Sequence, residues 1–409
     1  MIHVLARRIT REIDHYRALP TTTRLLITSY FYRSAAYPLI STFASAYIWQ
    51  ANHNLTLLVL YQIAAMTLLP ITFVCNKWLL KHFPFLHLYG AGVMFSGLSA
   101  LLVVFFRSTA PLSYLVYGSL YGIGNGFYWA NRNYLTLRHT TAEIRGTFTG
   151  INISLATATS TIIPLIAGWF IVLTVNSRIF PTSQIGYECL VGVAFILLVL
   201  AGWIIRNGSF AQPVVAETSR RPFSALWQKA RLLSIAIGLV DAPSYILPTV
   251  LILKVLGNEG ILGSVTGVLS LITAGATYIV GRVQHRYRFL PTFVLFLILF
   301  VIAGAPLMAS IAVWSVAWYL ILTTLLNNLI WTVNEPILMG MQDDEAHNNH
   351  ITHMRLIIDR EIFIDMGRIL WFVIFLLLAL KDQTLALSVT GTLSGILALI
   401  FIFPTVRQH

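Results

Sequence analysis

Arg33 stands nine residues beyond Arg24, and Asp241 stands ten beyond Arg231, each inside a run of otherwise apolar sequence. An ion held that deep in an apolar segment costs a few kcal/mol unless it meets a counter-ion or a wet cavity. Such residues are the first candidates for chemistry. Arginine offers a planar donor fork that fits a carboxylate or a phosphate, whereas aspartate accepts an amine or a coupling proton. A structural ion pair between the two is an equal reading, because a pair that latches one conformation need touch no solute.

Two further segments combine polar and aromatic residues inside apolar runs. One reads Asn125-Gly-Phe127-Tyr128-Trp129-Ala-Asn131-Arg132-Asn133, and the other Asn327-Asn328-Leu-Ile-Trp331-Thr332-Val-Asn334-Glu335-Pro336. Asparagine and tryptophan supply hydrogen bonds and flat contact surface, which is how a mostly apolar pocket gains specificity. Together with Tyr37 and Tyr245 they give a candidate binding set: Arg33, Tyr37, Asn125, Tyr128, Trp129, Asn131, Arg132, Asp241, Tyr245, Asn327, Asn328, Trp331 and Glu335. The plainer reading makes the tryptophans packing residues and the asparagines glue between helices. Arg132 and Glu335 also suit an inner gate.

The segment from Arg355 to Arg368 is dense in both signs. Glu361 and Asp365 share a helix face at i,i+4, and Asp365 reaches Arg368 at i,i+3. Asp359 and Arg360 read as an ion-pair cluster anchoring a helix end. Asp365 lies deeper, and it joins Asp241 and Glu335 as a candidate for proton coupling. The tract Asp343-Asp344-Glu345-Ala-His347-Asn-Asn-His350-Ile-Thr-His353 invites a metal, but histidines three apart drift around a helix, so a solvated loop is expected and no metal site. No glycine-rich nucleotide loop occurs, no nucleophile and base share one depth, and neither an enzyme nor a cofactor is expected.

The elements that position these residues follow from composition. Of 409 residues, 57% are hydrophobic and 10% charged, too little polar surface to coat water-soluble domains. In lipid every backbone amide must pair within a helix or a closed barrel, and the apolar runs far exceed barrel strands of about ten residues. An all-α integral membrane protein is implied, with spans near 24–49, 54–75, 85–106, 112–134, 146–174, 187–206, 231–256, 260–280, 290–309, 311–338, 352–380 and 383–403. Twelve spans place both ends of the chain on one side. Of the 27 lysines and arginines, twenty fall in the segments on that side, four on the other and three at depth (Arg33, Arg132 and Arg368). The positive-inside rule then sets both termini in the cytosol, in a bacterial inner membrane. The +12 charge is spread over short loops beside anionic lipid instead of forming one basic face, so no nucleic-acid partner is expected. Cys75 and Cys189 fall at opposite ends of their spans and cannot pair within a monomer. Residues 1–23 hold no short apolar core ending in a cleavage site, so no removable signal is expected.

The longest polar interruption, 207–230, divides a six-helix bundle (24–206) from a second (231–409) and follows a cytosolic segment (1–23). Its end, Phe223 to Ala230, suits a short amphipathic helix on the membrane surface with Trp227 at the headgroups. Arg24-Leu-Leu recurs as Arg231-Leu-Leu, and Asn125-x-x-x-Trp129 recurs as Asn327-x-x-x-Trp331, at nearly equal offsets, as in a parallel repeat.

On these residues the chain resembles the major facilitator superfamily over essentially its whole length. Pro164-Leu-Ile-Ala167-Gly168 is similar to that family's proline-glycine signature, with alanine for the first glycine, which weighs against drug efflux. Asn76-Lys77-Trp78-Leu-Leu-Lys81-His82 occupies the family's basic loop without its glycine and aspartate, and Gly281–Arg288 lies closer but lacks the acid. The resemblance implies two pseudo-symmetric bundles whose first, fourth, seventh and tenth helices line a central cavity, so that Arg33 and Asp241 face each other across it. The expected function is secondary transport by alternating access. The solute would be small, polar or zwitterionic and amino-acid-like, carried by proton symport through a monomer. Export of an amphipathic siderophore, drug or lysolipid is the rival, and a non-transporting receptor or scaffold is the alternative from another class.

Overall fold

Backbone amides in lipid must be satisfied within their own segment, and long helices are the outcome. The computed structural model describes residues 16–17, 19–140, 142–210, 221–283 and 289–406, and among these every regular element is helical. The first six spans are α1 (Thr21–Asn52), α2 (Leu55–Leu79), α3 (Phe85–Phe106), α4 (Pro111–His139), α5 (Ala142–Asn176) and α6 (Ser183–Arg206). The second six are α7 (Ala225–Leu256), α8 (Glu259–Val283), α9 (Phe289–Ala309), α10 (Val313–Asn349), α11 (His353–Lys381) and α12 (Gln383–Val406). Turns between them are tight. His53 and Arg107 end α1 and α3 in the left-handed conformation, and the Asn54 side chain caps α2 by accepting from the Thr56 amide.

The packing repeats with a period of six helices. In the first half α1 packs on α5 and α6, α2 on α4, and α3 on α4 and α6; in the second, α7 packs on α11 and α12, α8 on α10, and α9 on α10 and α12. The halves meet along α5–α8 and α2–α11, two seams that exchange under the same shift of six. Large apolar side chains such as Phe106, Leu112, Leu377 and Leu380 remain on the outside, where lipid is the solvent.

Ten of the twelve helices are long and apolar enough to cross a membrane by length and composition alone; α1 and α4, with 32 and 29 residues, are long enough but more polar. Both carry residues of the candidate set. The most enclosed span is α7, and it is broken: regular to Asp241, a 3₁₀ turn over Ala242–Tyr245, α-helical over Leu247–Leu251 and a π turn over Ile252–Leu256. Pro243 and Pro248 remove two backbone donors within this stretch, which accounts for the change of helix type.

Three expectations change. Ala225–Ala230 is the start of α7, not a surface helix, and Trp227 is buried with its Nε1 donating to Asp359 Oδ2 at 2.7 Å instead of lying at the headgroups. The acidic and histidine-rich tract up to Asn349 is the end of α10, not a loop, because Glu345 turns inward to accept from the Ser224 amide and hydroxyl. Asp241 finds its cation on α11, described below. Residues 1–15, 18, 141, 211–220, 284–288 and 407–409 lie outside the described residues, and with them Arg7, Arg8, Arg11, Arg407, the middle of the interruption between the halves and most of the second basic loop.

Candidate functional site: a charged central cavity

A passage runs between the halves as two connected chambers. One, of about 430 Å³, reaches from mid-depth toward the end far from the chain termini; the other, of about 940 Å³, lies at the end where α4, α10 and the chain itself terminate. Tyr37, Tyr121, Asp241, Tyr245 and Asn328 line both, and so mark the junction.

The far end is closed by the α5–α8 seam. A Cβ on Gly168 would fall 2.1 Å from the Glu259 carbonyl oxygen, and one on Gly263 would fall 2.0 Å from that of Pro164, so these backbones touch only because both residues are glycine. Two hydrogen bonds cross there: Trp169 Nε1 to Ser264 Oγ at 2.9 Å, and Tyr187 Oη to Glu259 Oε1 at 3.0 Å.

Asp241 is fully engaged. Its Oδ2 accepts from Arg368 Nε at 2.8 Å, with Nη2 at 2.7 Å, and its Oδ1 accepts from Asn327 Nδ2 at 3.1 Å and Trp331 Nε1 at 3.2 Å. Arg368 also donates through Nη1 to Asp365 Oδ1 at 2.8 Å, and Asp365 is wholly buried behind it with Oδ2 unpartnered. The cation of Asp241 is thus Arg368, not Arg33. The reason lies in the backbone: a Cβ on Gly238 would meet the Ile364 carbonyl oxygen at 2.0 Å, and one on Gly367 that of Ile235 at 2.2 Å, so α7 and α11 touch one turn from the ion pair.

Arg33 occupies the opposite half and has no carboxylate. Nη2 donates to Asn125 Oδ1 at 2.9 Å, the guanidinium lies 4.7 Å from the Tyr128 ring centroid and 5.1 Å from that of Tyr37, and Nε is buried without a partner. Tyr37 and Asn125 line the cavity, while Arg33 and Tyr128 stand behind them. Trp129, Arg132, Trp331 and Glu335 line the larger chamber, and Asn327 the smaller. Asn131 does not reach either chamber: it faces α2, donating to Asn76 Oδ1 at 2.9 Å, which is the helix-glue role.

The charges of the cavity divide by half. Every described carboxylate that lines it (Asp241, Glu335 and Glu361) comes from the second half, whereas the first half contributes Arg132 with Arg33 close behind. Arg360 donates to Glu335 at 2.9 Å and to Glu361 at 3.0 Å, so this cluster faces the chamber as well as anchoring α11. The sequence reading left out Tyr121, Arg360, Glu361 and Arg368 as site residues. Tyr121 precedes Asn125 by one turn on the same face, a spacing that was available; the role of Arg368 depended on the α7–α11 contact, which no local pattern records.

Two helical halves related by a shift of six, closed at one end and hollow at the other around buried charges, define a membrane carrier. The family model described as Major Facilitator Superfamily matches residues 12–355, and the chain belongs to that superfamily. It is therefore a multi-pass membrane transporter with a small-molecule substrate and not an enzyme. It is 24% identical to YqgE of Bacillus subtilis (strain 168) over 375 residues, 88% of this chain and 83% of that one. It is also 33% identical over 133 residues to a protein encoded in the sodM 3′ region of Geobacillus stearothermophilus, 32% of this chain and 62% of that one. Among solved structures it shares its fold with a peptide transporter, POT, in complex with sulfate (TM-score 0.68, 11% identity, 97% of this chain and 98% of that one). It likewise shares it with a bacterial homologue of the iron transporter ferroportin in an inward-facing state (TM-score 0.66, 13% identity, 94% and 98%).

Proposed function

We propose that this chain carries a small polar or zwitterionic solute, amino-acid-like, by alternating access, and that a proton gradient drives it. The observation that carries this reading is the division of charge across the cavity, with the Arg132 guanidinium, and Arg33 close behind, free of carboxylate on one wall and every described lining acid, paired with Arg360 or Arg368, on the other. A solute bearing both signs bridges such walls and helps draw the halves together. Arg33, Tyr37, Asn125, Trp129, Arg132, Asn328, Trp331 and Glu335 would surround it, and Asp241 with Arg368 would form its floor. Asp241, Asp365 and Glu335 are the proton acceptors in this scheme; Asp365 Oδ2 and Glu335 Oε2 are buried without a hydrogen-bond partner among the described residues.

The rocking bodies would be 24–206 and 231–409, joined through 207–230, in a monomer. On the basis of the lysine and arginine distribution, both termini would be cytosolic, and the Bacillus relative favours a bacterial inner membrane. Reconstituted protein in proteoliposomes should accumulate at least one labelled amino acid, faster under an inward proton gradient than with the gradient collapsed. Absence of uptake and of competition across the full amino-acid set removes this reading.

One observation favours a second. The larger chamber exceeds what an amino acid fills and includes Met66, Leu69, Phe73, Trp129 and Trp331, a lining suited to an amphipathic solute. Binding that survives Arg33→Ala and Asp241→Asn but fails in Trp129→Ala and Trp331→Ala selects that alternative.

A further inference from the structure

Arg132 lines the larger chamber and makes no side-chain hydrogen bond or ion pair with any described residue. The other arginines set within the bundle are all engaged: Arg33 by Asn125, Arg231 by Asp359, Arg360 by Glu335 and Glu361, and Arg368 by Asp241 and Asp365. What holds Arg132 is aromatic. Its guanidinium carbon lies 4.9 Å from the ring centroid of Tyr30 and 4.7 Å from that of Trp129, and its Nε is sealed from solvent with no acceptor. Tyr30 is itself fixed, since its hydroxyl donates to the Arg132 carbonyl oxygen at 3.1 Å and lies 3.2 Å from Thr136 Oγ1.

Contacts with aromatic rings leave the N–H groups of a guanidinium available for hydrogen bonding. A donor fork that faces the chamber and has no acceptor among the described protein groups is available to an incoming oxyanion. Because the fork is already oriented, little side-chain freedom is lost when it is used. Nearby lining residues of the same half, Asn133, Thr136 and Asn152, are neutral and able to donate, and among the described residues no acid of that half lines the chamber to compete.

We propose that Arg132 is an oxyanion subsite, which takes the carboxylate or phosphate-type group of the solute while Tyr30 and Trp129 hold the guanidinium through their rings. It lies closer to the terminal end of the cavity than the Arg33 and Asp241 level, and it is the point where an anionic group first meets a dedicated donor from that end. This rests on the reading that the cavity receives the solute, and it narrows the solute to one carrying an oxyanion.

Purified full-length protein treated with phenylglyoxal, followed by peptide mass spectrometry, tests the assignment. Arg132 should be modified readily, and acetate, glutamate or inorganic phosphate should slow its modification relative to chloride at equal ionic strength, with Arg107 as an unprotected control. Protection by phosphate alone and protection by the carboxylates alone separate the two chemistries. In Arg132→Lys, which keeps the charge but loses the fork, the oxyanion concentration needed for half-maximal quenching of tryptophan fluorescence should rise roughly tenfold over the parent. Thermal unfolding of that variant should match the parent. If Arg132 resists modification, or if no oxyanion protects it beyond chloride, the subsite is overturned. Protection at Arg132 without uptake of any amino acid keeps the subsite and discards the amino-acid substrate; uptake with Arg132 unprotected does the reverse.

Discussion

Arg368 serves two carboxylates at once, and this makes it the residue on which the second half most depends. Removing it leaves Asp241 and Asp365 buried and uncompensated, a change that costs about 3–5 kcal/mol for a buried pair. Arg368→Ala should therefore lower thermal stability in detergent sharply, and the triple variant that also carries Asp241→Asn and Asp365→Asn should recover much of the loss. A single variant as stable as the parent would mean that water already reaches both acids. Asn131→Leu poses a different question, because Asn131 faces Asn76 instead of the cavity. It should reduce stability by about 1–3 kcal/mol, the cost of an unmatched buried amide, and leave solute affinity untouched. A change in affinity would place Asn131 in the site after all. At this scale the sequence disclosed which residues are costly to bury but not which partner each would choose. Residue type and depth singled out Arg33 and Asp241. Whether Asp241 turned toward α1 or α11 was decided by Gly238 and Gly367, which let α7 and α11 touch and bring together residues 127 positions apart, beyond any local pattern.

The helices add constraints that no single side chain reveals. Gly263 on α8 lies against the carbonyl of Pro164, whereas Gly275 on the same helix has open space around it. Gly263→Val should wedge the α5–α8 seam apart and shift spin-label distances between the far ends of α5 and α8 to longer values, with transport lost. Gly275→Ala should change neither. Equal distances in Gly263→Val and the parent would show that this seam does not hold the far end shut. The broken course of α7 was only partly legible: Pro243 and Pro248 announce an interruption, but its resolution into a 3₁₀ turn, a short helix and a π turn depends on neighbours already packed around it. The extra length of α10 escaped notice for a related reason. Its terminal turns look hydrophilic, and the buried acceptor role of Glu345 appears only once Ser224 is brought beside it. Conversely, the low apolarity of α1 and α4 was a readable sign that both face the passage, since a helix wetted on one side need not be uniformly oily.

For the molecule as a whole, helix number, halves and termini on a common side all followed from the distribution of apolar runs and basic residues, because the bilayer enforces both. Orientation can be checked directly: reporters fused to either end should be active only in their cytosolic form, and a periplasmic reading at either end would reverse the assignment. The passage also has an electrical property. Arg132, Arg360 and Arg368 on its walls, with Arg33 just behind, are matched in number by Asp241, Glu335 and Glu361 on the walls with Asp365 just behind, the cations drawn from both halves and the anions from one. Shifting one elementary charge across the membrane is worth about 2.3 kcal/mol per 100 mV, so a single uncompensated ion would make the resting carrier lean to one side in an energised cell. If the carrier works by the proposed alternating access with all four acids ionised, these eight groups cancel, the empty return stroke would be indifferent to potential, and any current during turnover would belong to the solute and its coupling ion.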